Sequence, residues 1–247
     1  MNIRNAILTV LAISALPAAA QIGDHRNDLA VGVNMGYAMS SIGFTPKVTQ
    51  SMHGGLTGGL TLRYVCEKYF NTVCSIYGEV NFMQAGWKEK ILTSDRQSVI
   101  NKVTGKAEQY SRTINYVQIP LFAHLAWGRE QKGVQFFFQA GPQIGFSIGE
   151  STNTNFKFEE RNMEDRANKT CAQDTMAVEN NFDFGIAAGL GIEYSIPKIG
   201  HFLLEGRYYY GLGNIYGDTK RDYFAKSNVS NIVLKLTYLF DITKTKK

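Results

Sequence analysis

Apolar residues recur at every second position in eight segments of the chain, and this period constrains the fold more than any other feature of the sequence. Between Phe182 and Ser195, for example, every even-numbered residue is apolar, whereas the odd-numbered residues are glycine, alanine, serine or carboxylates. A repeat of two is the period of a β-strand whose two faces meet different surroundings. The sequence therefore predicts an all-β fold built from eight strands.

The composition of the polar faces separates two kinds of β protein. These faces carry Gly, Ala, Gln and isolated charges, while the apolar faces are rich in Leu, Ile, Phe and Tyr. Small residues and single charges suit the inside of a narrow barrel, and a broad apolar face suits contact with lipid. Several segments also end in an aromatic residue, such as Tyr64, Trp127 and Tyr238, as expected at membrane interfaces. The alternative is a soluble lipocalin-like barrel, in which the apolar face would point inward.

The predicted connections alternate between long and short. They run over residues 40–53, 66–73, 88–112, 128–133, 149–180, 196–201 and 211–228, and the first, third, fifth and seventh are the long ones. Bacterial outer-membrane barrels have an even number of strands, short periplasmic turns and longer extracellular loops. The pattern predicts an eight-stranded antiparallel transmembrane up-and-down β-barrel with four long extracellular loops. Both the N- and C-termini would then lie in the periplasm.

The N-terminus has the features of a secretory signal peptide. Arg4 precedes a short apolar run, and a small-residue site follows, so that cleavage is expected between Ala20 and Gln21. The apolar run is too short to cross a bilayer comfortably as a helix. We therefore predict a cleaved signal peptide over residues 1–20 and a single barrel domain over residues 21–247. The alternative is a buried N-terminal helix.

The inward-facing positions of the predicted strands include charges from different strands. An isolated charge in a narrow lumen is costly unless it is paired, so we expect a nearly neutral network. The predicted members are Arg63, Glu79, Gln118, His124, Asp183, Glu193, Glu205, Arg207 and Lys235. Arg207 is the expected hub, with Glu205 and Glu193 as its partners, because a guanidinium can bind two carboxylates at once. A structural plug is the favoured role and a proton or ion path is the alternative, since eight strands leave room only for side chains.

The sequence contains no pattern typical of a cofactor, metal or catalytic site. The sequence lacks a phosphate loop, a nucleophile elbow and zinc-type spacing of cysteines or histidines. His124 could act as a catalytic base with Ser147 or Ser195, but no motif supports this reading. The formal net charge of +5 is spread along the chain, which argues against nucleic acid as a partner. We expect a non-enzymatic monomer in contact with outer-membrane lipids, lipopolysaccharide and another envelope protein.

Three cysteines stand in what would be an oxidising compartment. Cys66 and Cys74 flank a predicted short turn, so a disulfide between them is predicted, whereas Cys171 is left over in the longest loop.

The long loops are the expected place for specificity. Loop 88–112 is mainly basic and loop 149–180 is more acidic. We interpret both as solvated surface in preference to a dedicated ligand site, since mixed charge is normal on such loops. Two functional classes follow: a structural or interaction protein that displays these loops, or a narrow transporter or channel through the charged lumen.

Four stretches carry a resemblance to a known family. They are residues 116–121 (YVQIPL), 141–145 (GPQIG), 184–193 (FGIAAGLGIE) and 207–215 (RYYYGLGNI). Taken in this order, they are similar to the PorT-like outer-membrane β-barrel family of Gram-negative bacteria. The resemblance implies a small single-chain barrel in the outer membrane, and one member of the family takes part in protein secretion and gliding. This chain departs from the pattern at Gln118, where the family usually has Glu, and after Phe240, where seven further residues follow.

Overall fold

The structure is a computed structural model, and it describes residues 23–130, 132–217 and 223–245. The predicted signal peptide over residues 1–20, with its cleavage site between Ala20 and Gln21, lies outside these residues. Among the described residues, no helix is long and apolar enough to cross a membrane.

Eight antiparallel strands form one closed barrel, in which each strand pairs with the next along the chain and the last pairs with the first. The strands are β1 (Asp24–Thr45), β2 (Gln50–Tyr69), β3 (Thr72–Glu89), β4 (Tyr110–Gly128), β5 (Gly133–Thr154), β6 (Phe182–Ile196), β7 (Gly200–Gly211) and β8 (Lys226–Thr243). Closure removes the unpaired strand edges that an open sheet would expose. The predicted all-β, eight-stranded antiparallel barrel is confirmed.

The apolar faces of the strands point outward. Phe136 is 64 % exposed, Leu190 is 68 % exposed and Leu234 is 59 % exposed, whereas the alternate residues on the same strands are buried. A soluble barrel would bury these large side chains in its interior. The orientation therefore excludes the lipocalin-like alternative and gives the barrel the outer surface that lipid contact requires.

The strands are longer than a membrane needs. A tilted strand of about 9–11 residues crosses a bilayer, while β1 and β5 each have 22 residues. We call the end of the barrel where β1 begins and β8 ends, with connections 70–71, 129–132 and 197–199, the turn end. The opposite end, with connections 46–49, 90–109, 155–181 and 212–225, is the loop end.

The first connection at the loop end differs from the prediction. Residues 40–53 were expected to form a long loop, but β1 and β2 continue through most of them and leave only residues 46–49 as the connection. Outside the membrane a strand no longer needs an apolar outward face, so the alternation fades while the strand continues. The hydrogen bonds to β8 extend to Thr45, which pairs with Lys226.

A glycine permits close approach at the seam where the barrel closes. A Cβ atom on Gly32 of β1 would lie only 1.7 Å from the carbonyl oxygen of Tyr238 on β8. Any larger residue would push these two strands apart, which explains why glycine stands at this inward position.

Candidate functional site

Four charged residues meet in the middle of the lumen, and we call them the central ion cluster: Glu79, Glu205, Arg207 and Lys235. The Arg207 guanidinium donates to both carboxylates, with Nη1 2.7 Å from Glu79 Oε2 and Nε 2.7 Å from Glu205 Oε1. The ammonium group of Lys235 pairs with Glu79 and lies 3.3 Å from Glu205 Oε2. Two cations and two carboxylates make the cluster neutral, as burial of charge requires.

Neutral side chains complete the surroundings of the central ion cluster. Asn81 donates to Glu79 at 2.6 Å, and Gln139 donates to Glu205 at 2.6 Å. The guanidinium carbon of Arg207 lies 4.5 Å from the centre of the Phe122 ring, a cation–π contact. The four charged residues are each 6 % exposed or less, so side chains fill the lumen at this level.

A second charged group lies nearer the turn end. Arg63 Nη1 donates to Glu193 Oε2 at 2.7 Å, and the other oxygen of Glu193 lies 2.6 Å from His201 Nδ1. His201 Nε2 in turn lies 3.1 Å from both carboxylate oxygens of Asp241. Glu193 is thus a partner of Arg63 and His201, and the expectation that it pairs with Arg207 is wrong; Glu79 takes that place.

Sequence reasoning did not identify His201 and Asp241 as members of the lumen. Both continue the inward positions of their strands, His201 two residues before Leu203 on β7 and Asp241 two residues after Leu239 on β8. The alternation of inward and outward residues thus extends to both positions, but the predicted strands were too short to include them.

The contacts of His201 decide whether it can act as a catalytic base for Ser195. Ser195 Oγ lies 2.8 Å from His201 Nδ1, which brings a serine, a histidine and the Asp241 carboxylate together. However, Glu193 and Asp241 approach the two ring nitrogens, and a carboxylate only accepts hydrogen bonds. Both nitrogens must then carry hydrogen, so His201 has no free lone pair with which to deprotonate Ser195. The arrangement is an ion pair and not a nucleophile with its base.

The other predicted lumen residues are also buried in the interior, but they form separate contacts. Asp183 accepts from the Tyr209 hydroxyl at 2.6 Å. His124 Nδ1 lies 3.0 Å from Gln139 Oε1, which links it to the central ion cluster. Gln118 is 5 % exposed and lies opposite Asn81 in the pairing of β3 with β4.

The loop end is closed by a folded structure with its own apolar core. We call it the cap: connections 90–109 and 155–181, residues 212–217 and 223–225, and the adjoining strand ends. Phe44, Trp87 and Tyr110 of the strand ends pack with Tyr216 and Phe224, with neighbouring ring centres 4.9–6.2 Å apart, and all five side chains are buried. Aromatic packing of this kind fixes the loops in one arrangement.

Buried ion pairs hold the loops of the cap to one another. Arg166 Nη2 donates to Glu108 at 2.8 Å, and Glu108 also accepts from the backbone N–H of Asn162 at 2.7 Å. At the adjoining ends of β4 and β5, the buried Arg112 donates to the exposed Glu150 at 2.7 Å. The expectation that loops 88–112 and 149–180 are simply solvated is wrong for these residues, because the loops pack on each other; Lys90 and Arg96 are among those that remain exposed.

Two carboxyl groups lie close together under the cap. Gln173 donates to Glu89 at 3.1 Å, and the next residue, Asp174, pairs with Arg161 at 3.1 Å. The last lipid-exposed apolar side chain of β3 is Phe82, so Glu89, at the loop end of that strand, lies beyond the membrane-spanning part. Burial, together with the charge of Asp174, raises the pKa of Glu89 to about 7, and burial also raises the pKa of Asp174.

The two cysteines near the first turn lie on neighbouring strands. In the pairing of β2 with β3, Cys74 lies opposite Glu67. Cys66 falls at a register shift between Val65 and Glu67 of β2 and has no direct partner on β3. Neither cysteine forms a disulfide in the structure, nor does Cys171. A disulfide between Cys66 and Cys74 therefore stays a prediction.

An outward apolar surface, a lumen filled by ion pairs and a closed ring of eight strands define a small transmembrane β-barrel. The family model of the outer membrane protein beta-barrel domain matches residues 19–217, and the chain belongs to this family. Its place is therefore the bacterial outer membrane. The match ends before β8, the strand that closes the ring against β1.

Solved structures of other small barrels are similar to this chain. Neisserial surface protein A is 12 % identical with a TM-score of 0.40, over 85 % of this chain and 95 % of its own. OprG from Pseudomonas aeruginosa is 15 % identical with a TM-score of 0.38, over 88 % and 98 %. Ail, the attachment invasion locus protein of Yersinia pestis, solved with the heparin analogue sucrose octasulfate, is 14 % identical with a TM-score of 0.36, over 86 % and 99 %. Comparison with curated proteins gives no significant match.

Proposed function

We propose that the protein is a non-enzymatic, non-conducting barrel that presents its cap to a partner outside the cell. The observation that carries this proposal is the packing of the cap, in which Trp87, Tyr216 and Phe224 are each 1 % exposed or less. Loops that merely connect strands do not need a core of their own. A rigid cap offers a preorganised surface, and preorganisation lowers the entropy cost of binding.

The proposed orientation places the loop end outside the cell and the turn end, with both chain termini, in the periplasm. Short turns on the periplasmic side and longer loops outside are the rule for this class of barrel. Lipopolysaccharide would surround the cap, and a second envelope protein is the expected binding partner of the monomer.

A narrow channel is the competing function, and the central ion cluster argues against it. An ion that passed this level would have to displace side chains paired at 2.7 Å, at the cost of leaving buried charges without partners. Planar-bilayer recording on the purified barrel tests the point. We expect no steady unitary current, and currents that change in an Arg207→Ala variant would overturn the proposal.

Site-specific photo-crosslinking in intact cells tests the interaction function. Val103 on connection 90–109 is 67 % exposed, and a crosslinking residue there should give a discrete protein adduct. The matched control is the same residue at Phe136, which is exposed on the lipid-facing surface and should not give that adduct. Equal adducts from Val103 and Phe136 would contradict a specific partner at the cap. The absence of an adduct both from Val103 and from a second exposed position of the cap, Lys90, would also contradict it.

We further propose the finer PorT-like assignment, with an accessory role in secretion or envelope function. The assignment rests on the ordered stretches at 116–121, 141–145, 184–193 and 207–215, whereas the secretion role is that of one family member and does not follow from these stretches. The test is a deletion strain, in which the set of exported proteins should change and be restored by the wild-type gene. An unchanged set of exported proteins would contradict the secretion role without affecting the interaction proposal.

A further inference from the structure

The outer face of the barrel carries an apolar groove at the level of the central ion cluster. The groove has a volume of about 700 Å³ and runs across β1, β2, β3 and β4. Gly78 lies in it between the exposed side chains of Ile76 and Val80, so the lipid-facing surface has a depression there. Thr61 and Glu79 also border the groove, but their side chains are buried in the lumen. The side chains that face it are apolar and include Val33, Leu60, Leu62, Ile119 and Leu121. We call it the apolar groove.

A patch of positive charge lies at the loop end of the same strands. Lys88 of β3, Lys90 directly after that strand and Lys47 in the connection from β1 to β2 are all exposed. None of the three forms an ion pair with a residue that the structure describes. The backbone N–H of Lys90 donates to the carbonyl of Thr49 at 2.8 Å, which holds the two segments together. Residues 46–53 and 86–92 contain one acidic residue, Glu89, and it is buried. We call the three lysines the basic patch.

Hydrogen-bonding side chains surround Lys88 on the outer face. Ser51 of β2 and Ser111 of β4 are its direct neighbours in the sheet, and both are partly exposed. One step closer to the membrane, the imidazole of His53 reaches across β3 to Thr113, with Nε2 2.9 Å from Oγ1. An ammonium group among hydroxyl groups is suited to a phosphate, because all of these groups can donate to its oxygens.

The spacing of the two features matches half of a membrane. Val80 in the apolar groove and Lys88 are eight residues apart on β3, which is about 26 Å along a strand at about 3.3 Å per residue. With the usual strand tilt of about 35–45°, this becomes about 18–21 Å along the membrane normal. A bilayer with its headgroup regions is about 40–45 Å thick, so a groove near its middle places the basic patch among the headgroups of one leaflet.

Together the two features select an anionic lipid. A basic cluster beside a membrane recognises anionic headgroups, and an apolar groove accepts the chain that follows. A soluble anion lacks the chain, and a lipid without net charge lacks the attraction to the lysines. A second copy of the barrel fits poorly, because a symmetric contact through this face would bring two basic patches together.

We propose that the outer face of β1–β4 binds one molecule of lipid A, the membrane anchor of lipopolysaccharide. One phosphate of lipid A accepts from Lys88 and the neighbouring hydroxyl groups, and one acyl chain occupies the apolar groove. The choice of lipid A rests on the proposed orientation, in which the loop end, and with it the basic patch, lies in the outer leaflet.

Native mass spectrometry of the detergent-folded full chain tests the proposal. The probes are lipid A, phosphatidylglycerol as a second anionic lipid and phosphatidylethanolamine as a lipid without net charge. We expect one lipid A per barrel, bound about tenfold or more tightly than phosphatidylethanolamine, since a hydrogen bond to a charged group contributes that much.

Two matched pairs of variants test the headgroup and the chain separately. Lys88→Glu should weaken binding of lipid A about tenfold or more, whereas Lys198→Glu, the same charge change at the turn end, should not. Gly78→Leu fills the apolar groove and should also weaken binding. Gly206→Leu, at an outward position of β7 on the opposite wall, should bind as the wild type does. A Cβ atom at either glycine meets nothing closer than 3.8 Å, so both variants should keep the heat-modifiable gel shift of a folded barrel.

The proposal fails if excess lipid A gives no adduct with the wild type. It also fails if phosphatidylglycerol binds more tightly than lipid A, which would indicate a phospholipid site, or if a lipid-free dimer forms, which would show that a second copy covers this face. Equal binding by Lys88→Glu and Lys198→Glu would place the lipid elsewhere. These results leave the partner of the cap untouched, because crosslinking at Val103 tests that partner separately.

Discussion

Arg207 and Glu79 face each other across the full width of the barrel, with Nη1 2.7 Å from Oε2 and Nη2 3.0 Å from Oε1. Their strands, β7 and β3, lie on opposite sides of the ring. The pair therefore joins two walls that share no hydrogen-bonded edge. A guanidinium can form this two-point contact and still bind Glu205, which an ammonium group cannot do.

The first prediction concerns this pair. Arg207→Ala leaves two buried carboxylates with only Lys235 between them, so we expect a loss of about 3–5 kcal/mol of stability. The measurement is the temperature at which the heat-modifiable gel shift of the folded barrel disappears. Arg129→Ala, in an exposed turn, is the control and should leave this temperature unchanged. Adding Glu79→Ala to Arg207→Ala should recover part of the loss, and no recovery would contradict the pairing.

The inward set of residues was predictable from the sequence, whereas their pairing was not. With a period of two, the face of every residue follows once one face of the strand is known. Which residues meet across the lumen depends on strand tilt and stagger, and these are not visible in a single sequence. The alternation therefore places Arg207 in the lumen, but it does not show that Glu79 is its partner while Glu193 pairs with Arg63.

The cap was not predicted, because its residues follow no period. Trp87 and Tyr110 lie where the apolar alternation of the strands has already faded, and Tyr216 and Phe224 lie in a connection. Their packing depends on contacts between loops that are far apart in the chain. Only the tertiary structure brings these aromatic side chains together.

The second prediction concerns the core of the cap. Trp87→Ala removes a fully buried ring that packs on Phe44 at 5.3 Å, and large-to-small changes of this kind cost about 3–5 kcal/mol. We expect faster proteolysis within connections 90–109 and 155–181, while the barrel keeps its heat-modifiable gel shift. The other tryptophan offers a control, since Trp127 is 39 % exposed on the outer face. If Trp127→Ala and Trp87→Ala are cleaved equally fast, the cap does not depend on this core.

The third prediction is a dependence of the cap on pH. Folding raises the pKa values of Glu89 and Asp174, so it favours their protonated forms. Their contribution to stability is complete below the ordinary carboxyl range and is lost as the pH rises through the value of about 7 for Glu89. Proteolysis of the cap should therefore become faster between about pH 6 and pH 8.

A pair of variants separates this effect from a general change in protease activity. Glu89→Gln should remove most of the pH dependence, because the amide cannot ionise. Glu159→Gln, at an exposed position of connection 155–181, should keep it. The same pH dependence in both variants would show that other groups are responsible.

The fourth prediction is the disulfide between Cys66 and Cys74. Mass spectrometry of the freshly isolated protein, without reduction, should show these two residues joined and Cys171 open to alkylation. The closed loop is short, so reduction should lower the free energy of unfolding by about 2 kcal/mol at most. Alkylation of all three cysteines in unreduced protein would rule the bond out.

The pairing of β1 with β8 has a consequence for the order in which the protein can be made. The start of β1 and the residues after β8 meet at the turn end, where Thr245 N donates to Asp28 Oδ1 at 2.5 Å and Asn27 N donates to Thr245 Oγ1 at 2.9 Å. The first strand to be synthesised thus acquires its second neighbour only when the last strand is complete. Until then both β1 and the most recent strand expose open edges, which invite pairing with other chains. The other seven strands therefore remain part of an open sheet until β8 pairs with β1 and closes the barrel.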